Sequence, residues 1–500
     1  TAWFTLDLGG SYKISEVLIA LKANKNYTFT IQIGDTLSSS KVTAAAISNC
    51  TPAQEAVSNP TYLKSCPIPE TTGRYVTIQV SGRSWFKVYG VEIWGSSSGS
   101  LSQSVTATQG LEPATEDKTG RAVVTTSAYN PQSAYADDLR DCTYAENHAA
   151  SCTLARLPFL GQQIAHVTVD DVLARTLVSH EWMGDNFYRL LEQMPADILP
   201  LFRSIRAIVI AADVQPTRYD PATGTIYLDP AFIWLTQAQA ADIATASGSV
   251  SMSDLQLKMS WRYTKDNETL ALKLDDQGAR SENELAVVMA FALYHELAHA
   301  VDYMPPSRLV DLDNASTVEQ LYDPSLMLSA RLSEIYPLHS VTLKDLAAAS
   351  FLGAQPSSAQ RVLRAVDLVE EIANDGAVQY SAYSTASEDF ASLYETVMMG
   401  YHYGLSKDVA LTEVSPFSDG NQVVVWGQHD RLGDQNVVQR ALTVIQTMYP
   451  ENLVELEAYI VSGPVPINMQ EGATWLHNVS PSSASGTDTH TSLIENRPIH

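Results

Sequence analysis

The segment His295-Glu296-Leu297-Ala298-His299 constrains this chain more than any other stretch. It follows a wholly apolar run, Val287-Val288-Met289-Ala290-Phe291-Ala292-Leu293. Upstream, Ser281-Glu282-Asn283-Glu284 resembles a helix start with acidic residues in its first turn. Downstream, Pro305-Pro306 must stop the helix. The pattern predicts one helix between these signals, buried at the floor of a cleft. Residues four apart share a helix face, so both imidazoles can turn toward one ion. Glu296 lies beside that face, where its carboxylate can take a proton from a water on the metal. Two imidazole ligands and one general base, pre-spaced by a helix, are the working parts of a catalytic zinc site. The zinc would bring that water's pKa toward neutrality and polarise a carbonyl. The competing reading is two helix histidines satisfied by other partners, with no metal.

A catalytic zinc needs a third protein ligand. Ser387-Glu388-Asp389-Phe390-Ala391-Ser392-Leu393-Tyr394-Glu395 reads as a second helix with an acidic start. Glu388 is the expected ligand, with Asp389, Glu395 and the more distant Glu319 as alternatives. A donor to the oxyanion is expected from a tyrosine just upstream of Glu388. Tyr383 is the first choice and Tyr380 the second. Asp302 could orient His299 or Tyr303, or cap the helix end. His180 and Glu181 do not form a second such motif, and a core or interface role is expected for them.

The formal net charge is −25, from 56 acidic and 31 basic residues. Nucleic acid and anionic membranes need a basic surface, so both are poor partners. No run of roughly 18 apolar residues suggests a transmembrane helix. The cysteines are Cys50, Cys66, Cys142 and Cys152, and they allow three pairings. The local pairing, Cys50–Cys66 and Cys142–Cys152, is the simplest and implies an oxidising compartment. Sequons at Asn26, Asn267, Asn314 and Asn478 permit N-glycosylation.

Hydrophobic residues make up 45% of the chain and charged residues 17%, a globular composition. Residues 1–95 read as all-β, from alternating runs such as Tyr27-Thr28-Phe29-Thr30-Ile31-Gln32-Ile33. The chain opens directly on strand-like Trp3-Phe4-Thr5-Leu6, so residue 1 is not expected to be the gene's first. Gly95-Ser96-Ser97-Ser98-Gly99-Ser100 reads as a linker. Residues 96–155 are expected to be linker and disulfide-strapped lead-in, 156–480 a mixed α and β domain, and 481–500 a polar tail. Helices are expected over much of 169–194 and at 357–374, 386–399 and 435–461, and a buried strand at 205–211.

Two resemblances bear on these expectations. His295-Glu296-Leu297-Ala298-His299-Ala300-Val301-Asp302 with Ser387-Glu388-Asp389-Phe390-Ala391 is similar to the gluzincin pattern of lethal-factor-like and Pro-Pro-endopeptidase-like metallopeptidases. It implies a mainly α, α+β zincin-like domain with His295, His299 and Glu388 on zinc, Glu296 as base, and an upstream tyrosine as oxyanion donor. That family's tyrosine stands about seven residues before the glutamate. Position 381 is a serine here, straddled by Tyr380 and Tyr383.

The first 95 residues resemble a discoidin-like or fucolectin-like galactose-binding β-sandwich of jelly-roll type. Trp3 to Gly10, Gly73 to Ile78 and Val88 to Trp94 carry the likeness, and the domain is expected to be truncated at its start. Arg74, Arg83 and Trp85 are possible sugar contacts. Together the two resemblances imply a secreted or cell-surface zinc endopeptidase acting on proteins or glycoproteins through a zinc-activated water. Substrate would lie along an edge strand, for which Thr225 to Leu228 is the candidate. The alternative is a non-catalytic extracellular adhesion or structural protein that retains the fold.

Overall fold

The computed structural model describes residues 2–21, 29–38, 41–43, 54–55, 62–80, 88–97, 125–144, 152–243, 257–275, 278–414, 422–448, 450–479 and 491–493. The chain divides into two compact units, Thr1–Pro113 and Ala114–His500.

In the first unit, strands β1 (Ala2–Leu21), β2 (Phe29–Gly34), β3 (Tyr62–Val80) and β4 (Val88–Ser97) form an antiparallel sheet in the order β2-β3-β1-β4. The alternation in sequence is the alternation in burial. Phe29, Ile31 and Ile33 are buried with Val76, Ile78 and Val80, while Thr30 and Gln32 are half-exposed. A strand with one buried face needs this period of two. β1 and β3 stay paired from Ala2–Val80 to Leu21–Tyr62, with register shifts between Asp7 and Tyr12 and between Ile14 and Glu16. The first shift spans Gly9-Gly10, where glycine eases a bulge. On the other face, the Val42 N–H donates to Thr77 Oγ1 at 2.9 Å. The described residues supply one large sheet and the small pair Leu37–Ser38 with Lys41–Val42. A second full sheet, which a sandwich requires, is not among them. β4 runs through Ser97, so Gly95 to Ser97 are strand rather than linker. Residues 98–124, and with them most of the expected linker, lie outside the described residues.

The second unit begins its described part with β5 (Ser127–Ala128) and α1 (Ala136–Tyr144). Its first sheet adds β6 (Thr176–Val178), β7 (Ala207–Ile210), β8 (Arg218–Asp220) and β9 (Thr225–Leu228), in the order β8-β9-β7-β6-β5. β7 is parallel to β6 and β9, and the outer strands β8 and β5 are antiparallel to their neighbours. Leu139 and Cys142 of α1 pack against Leu177, Ala207, Val209 and Tyr227 on one face of this sheet. A disulfide joins Cys142 to Cys152 at the end of α1. The expected lead-in is therefore built into the domain. Cys66 is also disulfide-bonded, and its expected partner Cys50 lies outside the described residues.

Two expectations change here. Helix was expected over much of 169–194, but Val169–Leu173 and α2 (Glu181–Leu191) flank the strand β6. All three β6 residues are buried, and a short buried apolar run does not announce its period. The second change concerns Thr225 to Leu228. That strand sits between β7 and β8, so the edge belongs to Arg218–Asp220.

The opposite face of the sheet presents Ile208, Ile210, Ile226 and Leu228 to the main core. Helix α3 (Glu282–Tyr303) lies in that core, with α4 (Leu328–Ile335) and α5 (Ala386–Tyr403) packed beside it. A second antiparallel sheet backs α5. Its three long strands are β10 (Leu257–Lys265), β11 (Leu405–Val414) and β12 (Gln422–His429), flanked by the short Thr269–Leu270 and Ile467–Asn468. The helix expected at 435–461 is two helices, Gln435–Met448 and Leu453–Val461, on either side of Pro450. The 357–374 region forms short 3-10 turns and the single turn Val369–Ala373.

Candidate metal centre

Ser281 caps α3, its Oγ accepting the Glu284 N–H at 3.3 Å. The helix runs on to Tyr303 and stops before Pro305. Nearly every residue from Leu285 to Asp302 is buried. By length and composition this helix could cross a membrane, with mean hydropathy 1.3, yet 89% of that window is buried inside the protein. Packing on both sides accounts for the hydropathy.

Thr385 caps α5, and its Oγ1 accepts the Glu388 N–H at 3.1 Å. Glu388 thus stands in the first turn, where unpaired N–H groups favour a carboxylate. The cap aims its side chain at α3. His295 Nε2 and His299 Nε2 are 3.2 Å apart. Glu388 Oε1 is 3.1 Å from His299 Nε2, and Glu388 Oε2 is 3.6 Å from His295 Nε2. Among the described residues this is the group of side chains that could hold a metal ion. Ligands about 2.1 Å from one tetrahedral ion lie about 3.4 Å from each other, so the donor set fits zinc in spacing and in chemistry.

Glu296 is fully buried beside this cluster. It lines a cavity with His299 and Glu388, and Tyr219, Tyr303 and Ser387 complete most of the wall. β8 delivers Tyr219 to this cavity from the sheet edge. Tyr303 stands four residues past His299 and seven past Glu296, on the same helix face. The Tyr219 and Tyr303 rings are 5.8 Å apart, and Tyr322 stacks on Tyr303 at 5.6 Å. Burial pushes the Tyr219 phenol well up, and burial with Tyr322, Asp302 and Glu388 nearby pushes Tyr303 up to about 12. Both stay neutral donors near neutrality.

Without a metal, burial alone would lower the His299 pKa. The adjacent Glu388 carboxylate outweighs it, helped by Glu296 and Asp302, and the ring is raised to about 9.

The other expected residues lie elsewhere. Tyr383 is buried in a separate apolar cluster with Leu343, Leu368 and Trp426, and does not line the cavity. Tyr380 accepts a hydrogen bond from Ser350 at 3.3 Å and packs on Phe351. Their turn, Tyr380–Tyr383, reverses before the Thr385 cap, which separates them from Glu388 despite the short sequence distance. Asp389 binds Arg440, with Oδ1 3.0 Å from Nη1. Glu395 pairs with Lys407 at 2.9 Å, both fully buried. Glu319 sits exposed on a 3-10 turn. His180 is the residue before α2, with Nδ1 2.9 Å from Ser179 Oγ. Asp302 accepts the Ser329 N–H at 2.7 Å and so caps α4 rather than its own helix. Tyr219 and Tyr303 were missed. The spacing from His299 and Glu296 could have found Tyr303, whereas nothing local marks Tyr219.

No family model, curated protein or solved structure matches this chain. The reading of the site therefore rests on its own geometry.

Proposed function

We propose that this chain is a zinc-dependent endopeptidase acting on extracellular proteins or glycoproteins. One observation carries the reading: the ligand atoms of His295, His299 and Glu388 converge at 3.1–3.6 Å beside the buried Glu296. A purely structural metal site has no need of a carboxylate poised as a base. Zinc held by these residues would supply Lewis-acid polarisation of the scissile carbonyl and acidify a water.

The chain's own groups do the rest. Glu296 takes the proton of the attacking water and returns it to the leaving amine. Tyr219 and Tyr303 present phenol hydroxyls to the cavity, and these can hydrogen-bond the carbonyl oxygen as charge gathers on it. Tyr383 does not line that cavity. Arg218–Asp220 is a short edge strand beside the cavity, and an extended peptide can lie along its outer side.

The Cys142–Cys152 disulfide supports an oxidising compartment, hence a secreted or cell-surface protein. The first unit serves in this reading as a carbohydrate- or surface-binding module that concentrates the enzyme on its substrate. Arg74 is exposed there; Arg83 and Trp85 lie outside the described residues.

Metal analysis and cleavage of a peptide library, with Glu296→Gln as control, test the proposal. Stoichiometric zinc with Glu296-dependent cleavage supports it. Bound zinc with no cleavage of any substrate overturns it in favour of a non-catalytic adhesion protein. No zinc overturns both the metal and the enzyme.

A further inference from the structure

A metal-ligating histidine usually donates its second ring N–H to a carboxylate or carbonyl, which fixes the tautomer and the ring's aim. His299 does neither directly. Its Nδ1 lies 2.8 Å from Ser387 Oγ, and Ser387 immediately precedes Glu388 on the other helix. A hydroxyl that accepts the imidazole N–H must send its own proton onward. Asp302, three residues past His299 on α3, is fully buried. Asp302 Oδ1 is occupied by the Ser329 N–H, while Oδ2 is buried with no direct hydrogen-bond partner of ordinary geometry. Burial raises the Asp302 pKa, and the Ser329 and Ser387 groups oppose that rise.

We propose that Ser387 is a positioning residue for the metal, relaying between His299 Nδ1–H and the Asp302 carboxylate. The inference rests on the metal reading above. The relay holds the proton on Nδ1 and turns the Nε2 lone pair to the ion. With Asp302 also accepting the Ser329 N–H, the arrangement links three elements. His299 and Asp302 come from α3, Ser387 and Glu388 from α5, and Ser329 from α4. The two ligating helices are thereby locked in register at the site itself, so affinity for the metal depends on a residue that does not touch it.

The test is zinc affinity of the full chain by chelator competition, together with the visible spectrum of the cobalt-substituted protein. Ser387→Ala is expected to weaken zinc binding about 10- to 100-fold and to alter the cobalt spectrum, with the metal-free melting temperature preserved. Ser387→Thr restores most of the affinity. Combining Ser387→Ala with Asp302→Asn costs less than the sum of the two, as coupled residues do. Wild-type affinity and spectrum in Ser387→Ala overturn the relay while leaving the metal site standing. A loss of metal-free folding that matches the loss of affinity also overturns it, since Ser387 would then act through packing. A wild-type chain that binds no zinc sinks the metal reading and the relay with it.

Discussion

Tyr219 and Tyr303 meet in the cavity lined by His299 and Glu388 with ring centroids 5.8 Å apart, one from a sheet edge and the other one turn past His299. The cavity therefore draws both of its phenols from elements other than the glutamate helix. Tyr219→Phe, Tyr303→Phe or both should lower kcat by roughly 10²- to 10³-fold, the usual cost of an oxyanion donor. KM should move little. Tyr383→Phe should leave kcat at the wild-type level. Steady-state kinetics on a cleaved peptide decides, and an exclusive loss in Tyr383→Phe would place the donor where the sequence suggested.

Glu296→Gln removes the base but neither imidazole. Zinc content should stay stoichiometric while kcat falls by about 10²- to 10⁴-fold. Elemental analysis beside the rate measurement separates loss of chemistry from loss of metal. Unaltered turnover would rule Glu296 out as the base.

In the metal-free protein His299 is raised from 6.5 to about 9, so it is imidazolium at pH 7 and paired with Glu388. A raised histidine adds stability that is present below about pH 6.5 and fades as pH climbs through about 9. Zinc needs the neutral ring. Binding at pH 7.5 should release about one proton, and apparent affinity should rise about tenfold per pH unit until about pH 9. Titration calorimetry in buffers of different ionisation enthalpy counts that proton; a count of zero contradicts the pairing.

Lys407 and Glu395 are a fully buried pair at 2.9 Å, with Tyr263 and Gln379 completing their hydrogen bonds. Burial lowers the lysine pKa and raises that of the glutamate, and each partner opposes the other's shift. Glu395→Leu should cost about 3–5 kcal/mol by stranding the ammonium, and Lys407→Met with Glu395→Leu should recover most of it. Denaturant unfolding of the second unit's core reports both.

The sequons at Asn267, Asn314 and Asn478 fall among the described residues, and they differ in what their amides do. Asn267 Nδ2 donates to Asp430 at 2.6 Å, and Asn478 Nδ2 donates to the Gln470 and Thr474 carbonyls at 3.2 Å. Asn314 is exposed, and the hydrogen bond recorded at its side chain is one accepted by Oδ1 from Gln162. Expression in a eukaryotic secretory host should fill Asn314 and leave Asn267 and Asn478 bare. Glycopeptide mass spectrometry would show the reverse if local structure does not decide.

The convergence of His295, His299 and Glu388 was legible because helical spacing fixes which side chains meet. His295 and His299 had to share a face, and Glu388 needed only an amphipathic helix behind a threonine cap. The tyrosines were not legible for the same physical reason in reverse. Tyr383 is near Glu388 in sequence, but the turn before Thr385 sends it into another core. Tyr219 reaches the site only through sheet order, which no local pattern encodes. The second sheet escaped too. Its strand Leu257–Lys265 pairs with Leu405–Val414, across the whole helical stretch that includes α3, α4 and α5, and contains Lys258, Arg262 and Lys265. Such charges read as surface until their partners, such as Asp408 for Arg262, are in place.

The helix that carries both histidines has the partitioning character of a lipid-spanning segment and is kept from that fate only by the layers closed around it. A variant that fails to seat α5 or the first sheet would present this segment to bilayers and chaperones. Such folding defects should therefore surface as membrane-associated or aggregated protein, and only secondarily as lost zinc.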